Sequence, residues 1–159
     1  MTISATLERH LRDRNVVFDL VAHPITGSSS ETAQAAHVSG NHIAKTVLLR
    51  EGDQGDGYLL AVVPASHHLS LEMLRAWLGR AVALASEQEA GKLFPDCDLG
   101  AIPPLGDAYG LDAVVDEALL GLEEVYFEGG DHQSLVKVAG AQFRDLMAGA
   151  PQGRFSTHD

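Results

Sequence analysis

The runs IAKTVLLR at residues 43–50 and YLLAVV at 58–63 are rich in large apolar and β-branched residues, and the segment joining them, EGDQGDG, is mainly glycine and aspartate. Glycine and aspartate tolerate the backbone angles of a tight reversal, so the two runs are predicted to pair antiparallel as a hairpin. Such a pair excludes an all-helical chain and a purely parallel sheet. Further β-rich runs lie at residues 16–21, at 82–85 (VALA, read as a buried strand), in LDAVVD, in EVYFEGG and in LVKVAG. Short helices are predicted between them. Leu7 and Leu11 stand four apart among charged residues, giving a helix over 4–14 with one narrow buried stripe. Ser28 and Glu31 have capping-box spacing ahead of TAQAAH, and Ser86 and Glu89 repeat it. Leu71, Leu74 and Leu78 recur at helical spacing between a Ser70 cap and a Gly79 stop, and AQFRDLMAG closes the series. In LGAIPPLGDAYG, three glycines and two prolines forbid a regular helix or a central strand, so an ordered loop is expected. The fold class predicted is α+β: a compact single domain with a mixed, largely antiparallel β-sheet or partly open barrel flanked by helices.

The chain has 159 residues, a length that one core serves well, and the whole of 1–159 is read as one domain. Residues 1–22 form its N-terminal helix and strand, and 150–159 (ending PQGRFSTHD) form a loose C-terminal tail. Acidic residues number 22 against 11 basic ones, for a formal charge of −11. A protein that wraps a nucleic-acid backbone needs a broad basic surface, so DNA binding is not expected. No run is apolar and long enough to cross a bilayer, and the N-terminus lacks the charged-then-apolar order of a secretory signal. With the lone Cys97 unable to form an internal disulfide, a cytoplasmic location without membrane contact is expected.

Nucleotide motifs are missing, which argues against ATP and NAD. His37 with His42, and His67 with His68, lack the helical glutamate of a zinc motif, and adjacent side chains point apart. No metal and no cofactor are expected. Asp96 and Asp98 flank Cys97 and oppose its ionisation, so it reads as a structural thiol. Three features carry more. Lysine occurs only at Lys45, Lys92 and Lys137, and Lys45 lies inside an apolar run, where a charge is costly unless it meets solvent, an anion or a cleft. The stretch from Gly100 to Pro104 can aim main-chain amides at an oxygen, or can be a tight connector. Gly129-Gly130-Asp131-His132 sets an imidazole beside permissive backbone, or leaves it in an exposed turn.

Taken in order, HP followed by a serine-rich turn, then HIAKTVLL, then LFPDCDLGAIPPLG, then VYFEGGDHQSLV resembles the YbaK-type aminoacyl-tRNA deacylase family over about residues 23–147. That family includes the editing domain of bacterial prolyl-tRNA synthetases and its freestanding relatives. The resemblance implies a compact mixed α/β fold and hydrolysis of the ester between a wrong, small amino acid and a tRNA, chiefly a proline tRNA. It implies Lys45, Gly100 and His132 as the catalytic set. Ser28, Thr46, Ala101, Pro104, Gly130 and Asp131 would bind substrate. The partners implied are the tRNA acceptor end and, with it, prolyl-tRNA synthetase. Two departures bear on specificity: the cysteine-directed branch usually lacks the histidine present here as His132, and the alanine-directed branch usually follows its lysine with an asparagine-containing strand, where this chain has Lys45-Thr46-Val47. The competing readings are a non-catalytic module that binds a nucleotide, an amino acid or a synthetase in the same pocket, and a hydrolase of another small acyl ester.

Overall fold

The computed structural model describes residues 3–25, 28–52, 57–98 and 100–158. The predicted hairpin is its spine. Strands β2 (Ile43–Glu51) and β3 (Gly57–Pro64) pair antiparallel from Ala44 opposite Pro64 to Glu51 opposite Gly57. Residues 53–56 of the connecting turn lie outside the described residues. Around this pair stand β1 (Phe18–Ala22), β5 (Val82–Leu84), β6 (Asp112–Asp116), β7 (Glu124–Glu128), β8 (Ser134–Ala139) and β9 (Gln152–Gly153). The sheet runs β1-β8-β7-β2-β3-β6-β9, with β5 on the same edge of β2 as β7. β1/β8, β7/β8 and β2/β5 are antiparallel, whereas β2/β7, β3/β6 and β6/β9 are parallel. The result is a mostly antiparallel, open sheet in one α+β domain; the barrel alternative is not realised.

Side chains alternate across each strand, so register sorts the core into two layers. Ala44, Val62, Val115, Phe127 and Val136 face one way, onto helices α1 (Ala5–Asp13) and α5 (Gly140–Leu146), which contribute Leu7, Leu11 and Phe143. Leu48 and Leu60 share that face and meet α4 (Glu87–Leu93) through Ala90. On the other face Ile43 and Leu135 pack on α2 (Ser29–Ala36), and Leu49, Ala61 and Val63 on α3 (Leu71–Leu78) through Leu74. The helix starts follow the predicted caps. Ser28, Ser70 and Ser86 each accept an amide hydrogen from the third residue onward, and Ser86 with Glu89 completes a capping box. Strand β5 is less buried than its composition suggested: only Val82 is covered, while Ala83 and Leu84 face solvent at the sheet edge.

The C-terminal segment corrects the expectation of a loose tail. Gln152–Gly153 adds β9 to the sheet, and Ser156–His158 forms β10 against β4 (His67–Leu69). Phe155 between them is 0% exposed and packs in the α3 layer. Its amide and the Ser156 hydroxyl both donate to Oδ2 of buried Asp116, at 3.2 and 2.8 Å. Alternation was too short there to read, and one aromatic anchor suffices to order it. Ser156→Ala leaves that buried carboxylate short of a donor, and the expected cost is about 1–3 kcal/mol, read as a Tm lower by several degrees. An unchanged melting curve would show that Asp116 does not depend on the tail.

Candidate active site

The sheet has a seam. β7 pairs with β2 only at Ile43 and Ala44, and β5 takes the same edge only from Leu49 onward. Among the described residues, 45–48 therefore have no strand partner on that side, apart from the Ala85 amide, which donates to the Leu48 carbonyl at 3.0 Å. Strand geometry puts the N–H and C=O of Thr46 on the same open edge as those of Leu48. A cavity of about 420 Å³ fills the seam. β2 lines it from Ala44 to Leu48, α2 adds Ser28 and Ser29, the start of α4 adds Ser86, Glu87 and Ala90, and the loop beyond adds Gly100 and Ile102. Glu128, at the end of β7, closes it.

Lys45 is half-buried and lines the cavity from the α2/α3 face of β2. Its Nζ donates to the His67 carbonyl at 3.0 Å. That carbonyl is itself positioned through its side chain. The Ser156 hydroxyl gives its single proton to Asp116, so His67 Nδ1 must be the donor across the 2.8 Å contact to Ser156 Oγ. The ordered tail thus reaches the predicted lysine through β4. Thr46, the next residue, alternates to the opposite face, and its Oγ1 is buried without a hydrogen-bond partner.

Gly100 and His132 meet at the mouth of the seam. Gly100 has φ +80°, and a methyl group there would stand 3.2 Å from His132 Cε1 and 3.6 Å from Nε2. His132 itself has φ +60°, a conformation that costs a non-glycine residue about 1–2 kcal/mol and persists only where its surroundings demand it. They do. Asp131 Oδ1 accepts the Gln133 and Ser134 amides, and its Oδ2 accepts the Ser134 hydroxyl, closing the turn from inside. The Asp98 amide donates to the Gly130 carbonyl at 2.7 Å, and the Ser4 amide to the Gly129 carbonyl at 2.7 Å. Gly130 has φ +106°, and a methyl group on it would come within 3.1 Å of both Cys97 Sγ and Ser4 Cβ.

Behind this contact Asp96 Oδ2 accepts from the Ser4 hydroxyl and the Thr6 amide, and its Oδ1 from the Tyr109 hydroxyl. Burial opposes the Asp96 charge, but the hydrogen bonds from Thr6, Ser4 and Tyr109 outweigh it and hold the carboxyl well below the usual carboxylate range. Cys97 is pushed up to about 11, first by burial, and stays a thiol near neutral pH. Burial, then the hydrogen bond to Cys97, raises the Tyr109 phenol as well. The cluster lashes helix α1, the turn before Gly100 and the His132 turn into one support.

Of the predicted residues, Ser28, Lys45, Thr46 and Gly100 line the cavity, and His132 abuts it through Gly100. Ala101 and Pro104 are buried behind the loop, and the Ala101 amide is committed to the Asp98 carbonyl. Among the described residues, the Gly100 and Ile102 amides have no backbone acceptor, which makes them the loop's available donors. Gly130 and Asp131 shape the turn instead of lining the cavity.

Sequence reasoning missed His23 and Glu128. Glu128 is 8% exposed. His23 Nδ1 faces the Pro24 carbonyl at 2.8 Å and must carry a proton, which leaves Nε2 facing Glu128 Oε1 at 3.5 Å. That approach is not a hydrogen bond, and Nε2 is buried without a hydrogen-bond partner; the Thr32 hydroxyl lies 3.3 Å from Oε1 and 3.1 Å from the Ser28 carbonyl, and Oε2 is buried with no hydrogen-bond partner. Burial raises the Glu128 pKa, with the charges of His23 and His132 acting against that rise. The only sequence signal was an acid directly after the apolar alternation of β7.

A second cavity of about 370 Å³, lined among others by Leu59, Arg80, Asp112 and Met147, holds none of these groups. No group of His, Cys, Asp and Glu among the described residues is arranged to hold a metal ion, and none of their helices is long and apolar enough to cross a membrane.

Solved structures share this fold. A candidate trans-editing enzyme for prolyl tRNA synthetase matches with TM-score 0.79 at 24% identity, covering 98% of this chain and 99% of its own. The hypothetical protein APE2540 matches with TM-score 0.81 at 24% identity, covering 96% of this chain and 99% of its own. A candidate signal transduction protein from Marinobacter aquaeolei VT8 matches with TM-score 0.77 at 24% identity, and there the fold occupies 31% of a longer chain. No curated protein gives a match. The sequence itself matches the aminoacyl-tRNA editing domain over residues 23–146, most of its length, and the chain therefore belongs to that family.

Proposed function

We propose that the seam cavity hydrolyses the ester joining a wrongly attached small amino acid to the 3′ end of a tRNA, chiefly a proline tRNA, acting in trans to the synthetase. The observation that carries this reading is the convergence of Lys45, the Gly100 loop and the His132 turn, distant in sequence, on one cavity in an editing-domain fold. An aminoacyl ester is already activated, so orientation of water and stabilisation of the oxyanion suffice without a covalent intermediate. The Gly100 and Ile102 amides are suited to receive the oxyanion, Lys45 to hold the terminal phosphate or polarise the ester, and His132 to orient the ester or water. The ribose 2′-hydroxyl is then available to pass the proton.

A second pocket of this kind is needed because a synthetase pocket separates side chains differing by one methylene by only about 1–3 kcal/mol. The deciding experiment is release of amino acid from proline tRNAs charged with alanine, cysteine, serine and other small residues, with small acyl esters alongside. Hydrolysis confined to one or more mischarged tRNAs supports the proposal. Hydrolysis of the small esters alone would replace it, and binding without release would make the fold a recognition module. With a net charge of −11, only a few of Arg9, Arg12, Arg14, Lys45, Arg50 and Lys92 can meet phosphates. For two or three such contacts, tRNA Kd is expected to rise about 10- to 40-fold between roughly 50 and 200 mM salt. A salt-independent Kd would mean that phosphates are not gripped at all.

A further inference from the structure

An aminoacyl ester differs from other acyl esters in carrying a free α-ammonium, which loses its water on entering a cavity and must find acceptors there. Among the described residues, Glu128 Oε2 and, on the other face of β2, Thr46 Oγ1 are buried acceptors on the seam with no protein donor. Both residues line the cavity. Continuing the β2/β7 register places Glu128 level with Lys45, next to Thr46, where the two strands part. Lys45, on the same wall, gives one Nζ hydrogen to the His67 carbonyl. Glu87, the other acid on the cavity wall, is exposed at the first turn of α4 and already solvated. We infer that Glu128 receives the substrate α-ammonium, and that the cavity therefore selects unblocked aminoacyl esters over N-acylated ones.

This inference rests on the hydrolase reading and deepens it. Its structural logic is that Oε1 faces the Thr32 hydroxyl at 3.3 Å and the His23 ring at 3.5 Å on the inner side, while Oε2 has no protein donor. A carboxylate left half-satisfied and nine-tenths buried is costly to the empty protein, and an ammonium relieves that cost. Glu128 is thus a binding and specificity residue, separate from the groups assigned to the ester.

The test compares single-turnover deacylation of one mischarged proline tRNA with that of its N-acetylated form. Wild type is expected to prefer the free-amine ester by about 50-fold, in line with a lost charge-assisted hydrogen bond. Glu128→Gln is expected to reduce that preference to under about 5-fold. Wild type that cleaves both esters equally would overturn the ammonium site while leaving the hydrolase reading intact. Wild type that cleaves neither would overturn both. A Glu128→Gln protein that retains the full preference would also sink the assignment, and the wild-type comparison decides even if this variant does not fold.

Discussion

Lys45→Met is expected to lower single-turnover deacylation about 10³-fold while leaving a folded protein. Methionine keeps the aliphatic stem and its contacts along β2, so the strand pairing from Ala44 to Glu51 has no reason to change. The His67 carbonyl loses one half-buried donor, a loss worth about 1 kcal/mol and a few degrees of Tm. Chemistry has more at stake. Among the described cavity-lining residues, Lys45 is the one lysine or arginine, in a site whose proposed substrate brings a phosphate and develops negative charge at the ester oxygen. Removing a group that stabilises such charge typically costs about 10²–10³ in rate. Lys45→Arg is expected to rescue little, because a planar fork cannot keep the single bond to the His67 carbonyl and occupy the same point. A wild-type rate in Lys45→Met would remove the lysine from the mechanism. A loss confined to KM would assign it to holding the phosphate alone.

How much of this was legible beforehand follows from which interactions are local. The hairpin, the caps at Ser28, Ser70 and Ser86, and the stop at Gly79 are set within a few residues of chain, and each is where the sequence placed it. β4, β9 and β10 have two or three residues apiece, too few for alternation to register, and they exist because Phe155 and Asp116 fix the chain between them. The lysine, the glycine loop and the histidine were visible as residue types. Their convergence was not, because it depends on β5 and β7 sharing one edge of β2 without meeting, a property of sheet topology. Glu128 was hidden for the same reason. An acid at the end of an apolar strand is usually solvated, and this one is buried against His23 and against Thr32 of α2.

Gly100→Ala is expected to slow deacylation about 10²-fold, through the imidazole it touches. Alanine at φ +80° costs about 1–2 kcal/mol in backbone strain, and its methyl would stand 3.2 Å from His132 Cε1. Relief requires the ring or the loop to move by a few tenths of an ångström, and misplacement on the scale of 1 Å can cost about 10² in rate. The Gly130 carbonyl and the Asp98 amide tie the two turns together, so neither can yield alone. His132→Ala separates the causes. If the methyl acts by displacing the imidazole, Gly100→Ala added to His132→Ala should cost far less than it costs wild type, and the double-mutant cycle should show strong coupling. If the loop amides alone matter, the two losses should multiply in full. An undiminished rate in Gly100→Ala would mean that neither the loop nor the ring it presses against is near the reacting ester, and the seam would then have to bind its substrate in some other register along β2.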